Sequence, residues 1–108
     1  MQRSEIMDQV RHIDEVLQRA SDVAQRDASV PPEFKRSLDA LGAQMVEARR
    51  ELNNATDDAR IVQCIDTLEA FGDRAKHACE HTGVTQPELR SAVLQAHSEL
   101  SNLKHRLH

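Results

Sequence analysis

Residues Asp58–Thr82 read DARIVQCIDTLEAFGDRAKHACEHT, and their spacing decides the fold class. Ile61, Ile65, Leu68, Gly72, Ala75 and Cys79 recur at intervals of 4-3-4-3-4, which places them along one side of a helix. The same interval pattern appears three more times in the chain. It runs through Ile6, Val10, Ile13, Leu17, Ala20 and Ala24, then through Phe34, Leu38, Leu41, Met45, Ala48 and Leu52, and finally through Leu89, Val93, Ala96, Leu100, Leu103 and Leu107. Strand signals are absent, since no alternating run of β-branched or aromatic residues occurs. The expectation is an all-α chain of four amphipathic helices.

The breaks between the seams carry their own chemistry. Ser4 is an N-cap candidate for a first helix ending near Gln25. Pro31 and Pro32 push the residue before each of them out of the helical region, and either fits the first turn of a second helix reaching Leu52. Thr56 is a candidate cap for the third helix, with Asp57 and Asp58 placing negative charge at its positive end. Gly83 suits the left-handed residue that closes that helix, with Val84 packing back on its end. Thr85-Gln86-Pro87-Glu88 reads as a capping box for the fourth helix, which runs to Leu107.

Shifting the first half by 55 residues superimposes every seam position on a seam position, without a gap. Ile6 falls on Ile61, Leu17 on Gly72, Phe34 on Leu89 and Leu52 on Leu107, and Pro32-Glu33 falls on Pro87-Glu88. Short turns make sequential helices antiparallel neighbours. Residues 1–108 are therefore read as one domain, an antiparallel up-down-up-down four-helix bundle of two similar αα-hairpins, 4–52 and 57–107. The competing arrangement is a coiled-coil-like dimer of long hairpins.

Composition bounds the function. The chain has 108 residues, with 39% hydrophobic and 30% charged, which is enough for one modest core and too apolar for disorder. A net charge of −4 argues against a nucleic-acid partner. No apolar run reaches membrane-spanning length, and MQRSEIMDQV at the start lacks a signal-peptide core, so the expected location is the cytoplasm. Two cysteines are too few for a disulfide framework, and Cys64 and Cys79 are read as small buried hydrophobes.

His77, Cys79 and His81 draw attention as metal ligands. Cys79 lies on the seam, so His77 and His81, two positions to either side, point outward, and the three cannot converge on one ion. The metal reading is therefore a surface pair, His77 and His81, holding a divalent transition metal with help from a neighbouring molecule. His12 and His97 fall at similar heights on helices one and four and are candidates for a shared contact, whereas His105 and His108 read as an exposed, frayed tail. No Glu-x-x-His is present and the inward positions read as apolar or small, which argues against a carboxylate-bridged di-iron centre. Phosphate-binding glycine loops, His-Glu-x-x-His and Gly-x-Ser-x-Gly are also missing, so no catalytic residue is assigned and no enzyme is expected.

Cys64-Ile65-Asp66-Thr67-Leu68 resembles the cysteine-bearing helix start of the copper-sensing repressors. That family consists of all-α DNA-binding oligomers whose cysteine ligand is followed on a long helix by His-x-x-x-Cys. Here no His-x-x-x-Cys follows before Gly83, so the ligand set is not carried over.

Gly72 stands where the first half has Leu17, which implies close helix approach, space for Phe34 or Phe71, or a small apolar pocket. Gly42, beside the second seam, reads as tolerated drift, with close approach of a neighbouring helix as the alternative. Val46, Val62 and Leu94 lie off the seams, at the core edge or on a partner face. The leading functional expectation is a non-enzymatic protein-interaction or regulatory module with a protein partner or a second copy of itself. Metal binding through surface histidines and apolar-ligand binding are the alternatives.

Overall fold

A computed structural model describes residues 2–54 and 57–108. Among the described residues the chain forms four helices and no strand: α1 (Arg3–Arg26), α2 (Pro32–Asn54), α3 (Asp58–His81) and α4 (Pro87–Leu107). Helix α1 packs on α2 and α4, and α3 packs on the same two, so the four close a ring with α1/α3 and α2/α4 on its diagonals. The result is the antiparallel four-helix bundle, elongated to 43 × 21 × 17 Å.

Burial follows the seams closely. Every seam residue is buried except Leu107, which is half-exposed near the C-terminal end of α4. All four helices feed one apolar cluster. Val30 and Val84, from the α1–α2 and α3–α4 turns, cover the same end of it, and residues of both turns line one shallow depression there.

The helix ends show where local chemistry overrode the simplest reading. Gln2, not Ser4, precedes α1, and its carbonyl accepts from the Glu5 and Ile6 N–H groups. Thr56 lies outside the described residues, and Asp57 is the N-cap of α3, accepting from the Arg60 N–H at 2.8 Å. The box expected at Thr85 does not form. Pro87 holds the residue before it in an extended conformation, so Gln86 becomes the N-cap of α4 and its side chain accepts from the Glu88 N–H at 2.8 Å. At the end of α3, Gly83 has φ of 68° and the Val84 N–H donates to the Cys79 carbonyl at 3.2 Å, closing the helix with the expected left-handed glycine. In the α1–α2 turn the Ser29 hydroxyl and N–H both donate to the Asp27 carboxylate, and these bonds hold its carboxyl below the usual range.

One inward position is not apolar. Asp14 is only 4% exposed, so the expectation that all inward positions are apolar or small fails here. Arg49 Nη1 donates to Asp14 Oδ2 at 3.0 Å and Gln18 Nε2 donates to the same oxygen at 3.2 Å, which satisfies the buried carboxylate. The pair links α1 to α2. Exactly 55 residues on, Lys104 of α4 lies 3.4 Å from Glu69 of α3. The repeat therefore reaches beyond the apolar seams to an inter-helix ion pair within each hairpin.

Cys64 and Cys79 are free thiols, both buried. The Cys64 Sγ lies 3.7 Å from the Ala48 carbonyl. Burial first, and then the nearby Glu51 carboxylate, pushes the Cys64 thiol up to about 11 from 9.0. The fold favours the protonated thiol, so the stability it provides is complete below about pH 9 and is lost as pH rises through about 11. Urea midpoints measured at steps from pH 8 to pH 11 should fall more steeply for the wild type than for Cys64→Ala. Parallel curves would show that the thiol is not shielded.

Candidate functional site

Two surface regions concentrate functional groups, and α3 contributes to both. The first is a groove between α2 and α3. Glu33, Arg36, Ser37 and Ala40 line it from α2, and Phe71 and Arg74 from α3. Phe71 is half-buried against the core, and the Arg74 guanidinium sits over its ring at 4.8 Å from the centroid. The groove runs on along α3 past Asp73, Lys76, His77 and Glu80. Arginine over a partly covered aromatic ring is the residue chemistry enriched at the centre of protein interfaces.

The second region is the outer face where α3 meets α4. Three acidic side chains of α3 each meet a basic or imidazole group of α4 or of its C-cap, His108. Asp66 Oδ1 lies 2.9 Å from His108 Nε2, Glu69 Oε2 lies 3.4 Å from Lys104 Nζ, and Asp73 Oδ1 lies 2.9 Å from His97 Nε2. Donor atoms of Glu69, Asp73 and His97 all fall within 4.8 Å of one another. Glu69 and Asp73 are one helical turn apart and so project side by side toward α4.

The histidines expected as metal ligands are elsewhere. His77 and His81 are exposed, as their phase requires, and their rings stack with centroids 6.0 Å apart and planes 6° from parallel. Cys79 is buried, turned away from them. His12 and His97 do not meet. His12 lies 3.6 Å from Glu99 in the α1/α4 crevice, whereas His97 pairs across the α3/α4 crevice, because the two histidines flank α4 on opposite sides. His108 is exposed as expected, and it is tethered by Asp66 at 2.9 Å. His105 is exposed.

Gly72 is a place of close approach. A Cβ built there would lie 3.1 Å from Leu100 Cδ1 and 4.0 Å from the His97 Cα. The space left by the missing side chain is taken by Leu100 of α4, not by Phe34, Phe71 or an open pocket. A Cβ at Gly42 would meet nothing within 4 Å, in keeping with tolerated drift.

Val46 and Leu94 are the exposed large hydrophobics among the described residues, and Val62 is half-buried. Val46 is on α2 and Leu94 on α4, helices that are diagonal in the ring, so the two do not build one apolar patch. No helix of the described residues is long and apolar enough to cross a membrane.

No protein-family model, curated protein or solved structure matches this chain.

Proposed function

We propose that the protein is a small non-enzymatic helical module that acts by binding a protein partner along the α2/α3 groove. The observation that carries this reading is the Phe71–Arg74 pair, an aromatic ring partly covered by a guanidinium in a groove of mixed charge. Such a pair offers apolar area and a charged donor at one point, and binding energy is usually concentrated at points of that kind. The interior supports the same reading, because the seams fill the centre of the bundle and Leu100 takes the space at Gly72.

The partner is read as protein and not nucleic acid, in keeping with a net charge of −4. A cytoplasmic location fits two buried free thiols. A second copy of the chain is the simplest partner, and sedimentation across a concentration series separates self-association from binding to another protein. Affinity capture should then be compared between wild type and Arg74→Glu, which changes an exposed side chain and leaves the core untouched. Either the concentration-dependent dimer or a specific captured protein should be lost in the variant. Retention of the same associations by Arg74→Glu, or a monomer that captures nothing above background, would refute the groove.

Metal binding at His77 and His81 is a second reading, favoured by the exposed, parallel stack of rings one turn apart. It would use a divalent transition metal and a further ligand from outside the chain, since the buried Cys79 does not reach the pair.

A further inference from the structure

We infer that Glu69, Asp73 and His97 form a binding site for one divalent transition cation on the α3/α4 face, separate from the His77–His81 pair and adjoining the α2/α3 groove at Asp73. The donor set is two carboxylates one turn apart on α3 and one imidazole from α4, with donor atoms within 4.8 Å of one another. In zinc sites, carboxylate oxygen and imidazole nitrogen lie about 2.0–2.2 Å from the ion, which brings donors to roughly 3–3.5 Å from one another. Asp73 and His97 stand 2.9 Å apart in a direct hydrogen bond, so binding requires that pair to open slightly around the ion and Glu69 to leave Lys104 and turn toward it.

The first half of the chain acts as an internal control. Residues 55 earlier than Glu69, Asp73, His97 and Lys104 are Asp14, Gln18, Gly42 and Arg49. There the carboxylate is closed off by Arg49 at 3.0 Å and Gln18 at 3.2 Å, and Gly42 offers no ligand. The ion pair is thus a property of the scaffold and needs neither Asp73 nor His97. The second half keeps the pair in a looser form, 3.4 Å through a lysine, and carries a metal-binding side chain at each of the two remaining positions.

Charge and access fit a cation. The carboxylates of Glu69 and Asp73 project from the same helix face and repel, and a divalent ion neutralises both. The side chains of Glu69 and His97 are 19% and 18% exposed, whereas Asp73 is 67% exposed. The ion would be anchored by two sheltered ligands and entered from the Asp73 side, leaving coordination positions open to water or to a ligand from another molecule. Lys104 is the competitor, because its ammonium lies 3.4 Å from Glu69.

The test is calorimetric titration of tag-free protein with zinc chloride. Wild type should take up one equivalent. His97→Ala and the near-isosteric Asp73→Asn should each weaken uptake by about tenfold or more, with circular dichroism confirming that both remain helical. Lys104→Ala should tighten it, and the tightening should vanish when His97→Ala is added. His77→Ala combined with His81→Ala should leave this equivalent in place. Failure of wild type to bind a stoichiometric equivalent, or uptake that persists in His97→Ala and Asp73→Asn, would overturn the assignment.

Discussion

Replacing Phe34 by alanine is expected to destabilise the protein by about 3–5 kcal/mol, the largest single effect anticipated for this chain. Phe34 is wholly buried, and it is the larger of two residues at equivalent seam positions, the other being Leu89. It lies in the first turn of α2, next to the turn whose Val30 is also buried. The loss combines the transfer free energy of an aromatic ring with the cavity left behind, and a helix that begins at Pro32 has little freedom to collapse into it. Native domains of this size are stable by only about 5–15 kcal/mol, so the variant should sit close to the edge of folding. Urea denaturation followed by circular dichroism measures the difference. A change below about 1 kcal/mol would place Phe34 outside the core.

The second large effect belongs to Gly72. Its replacement by leucine should cost about 1–3 kcal/mol through overpacking, even though leucine is the residue at the equivalent position 17. The difference lies in the neighbour. The first Cβ atom alone would come within 3.1 Å of Leu100 Cδ1, and three further carbons have no space while Leu100 stays where it is. Gly72→Ala should cost less than the leucine, because a gain in helix propensity of up to about 1 kcal/mol offsets the shift of a few tenths of an ångström that the Leu100 methyl must make. Gly42→Ala meets no neighbour and should gain that propensity without opposition. Thermal melts of the three variants should therefore rank Gly42→Ala above Gly72→Ala, and both above Gly72→Leu. An unchanged melt for Gly72→Leu would mean that α4 does not approach α3 at this point.

The fold was legible because its main determinant is periodic. Burial of apolar side chains along a helix repeats at intervals of three and four, and the seams from Ile6 to Leu103 show that repeat without interruption. The caps were less legible because neighbouring residues offer equivalent acceptors. Thr85 and Gln86 both carry side-chain oxygens, and the choice between them was made by the restriction Pro87 imposes on the residue before it. The burial of Asp14 is not legible in a seam, which apolar residues alone define. Its carboxylate is satisfied there by Arg49, 35 residues away in sequence, which pairs with it at 3.0 Å.

The candidate sites were legible only in part. The phase of α3 turned His77 and His81 outward and Cys79 inward, as the structure has them. It did not bring out Glu69, Asp73 and His97, because that set depends on the register of α3 against α4, and register between helices is fixed by packing at points such as Gly72 and Leu100. A usable signal was nevertheless present. Aligning the halves for charged residues as well as apolar ones sets Asp14 and Arg49 against Glu69 and Lys104, and exposes Asp73 and His97 as the departures.

Two similar hairpins share one scaffold, and the proposal is that the second carries a cation site where the first has only an ion pair. Amide chemical shifts of the nitrogen-15-labelled protein during a zinc titration test it most directly. Shifts confined to the surroundings of Glu69, Asp73, His97 and Lys104, with Asp14, Gln18, Gly42 and Arg49 unmoved, are the expected result. Equal shifts on both faces, shifts centred on His77 and His81 alone, or none at all would contradict it.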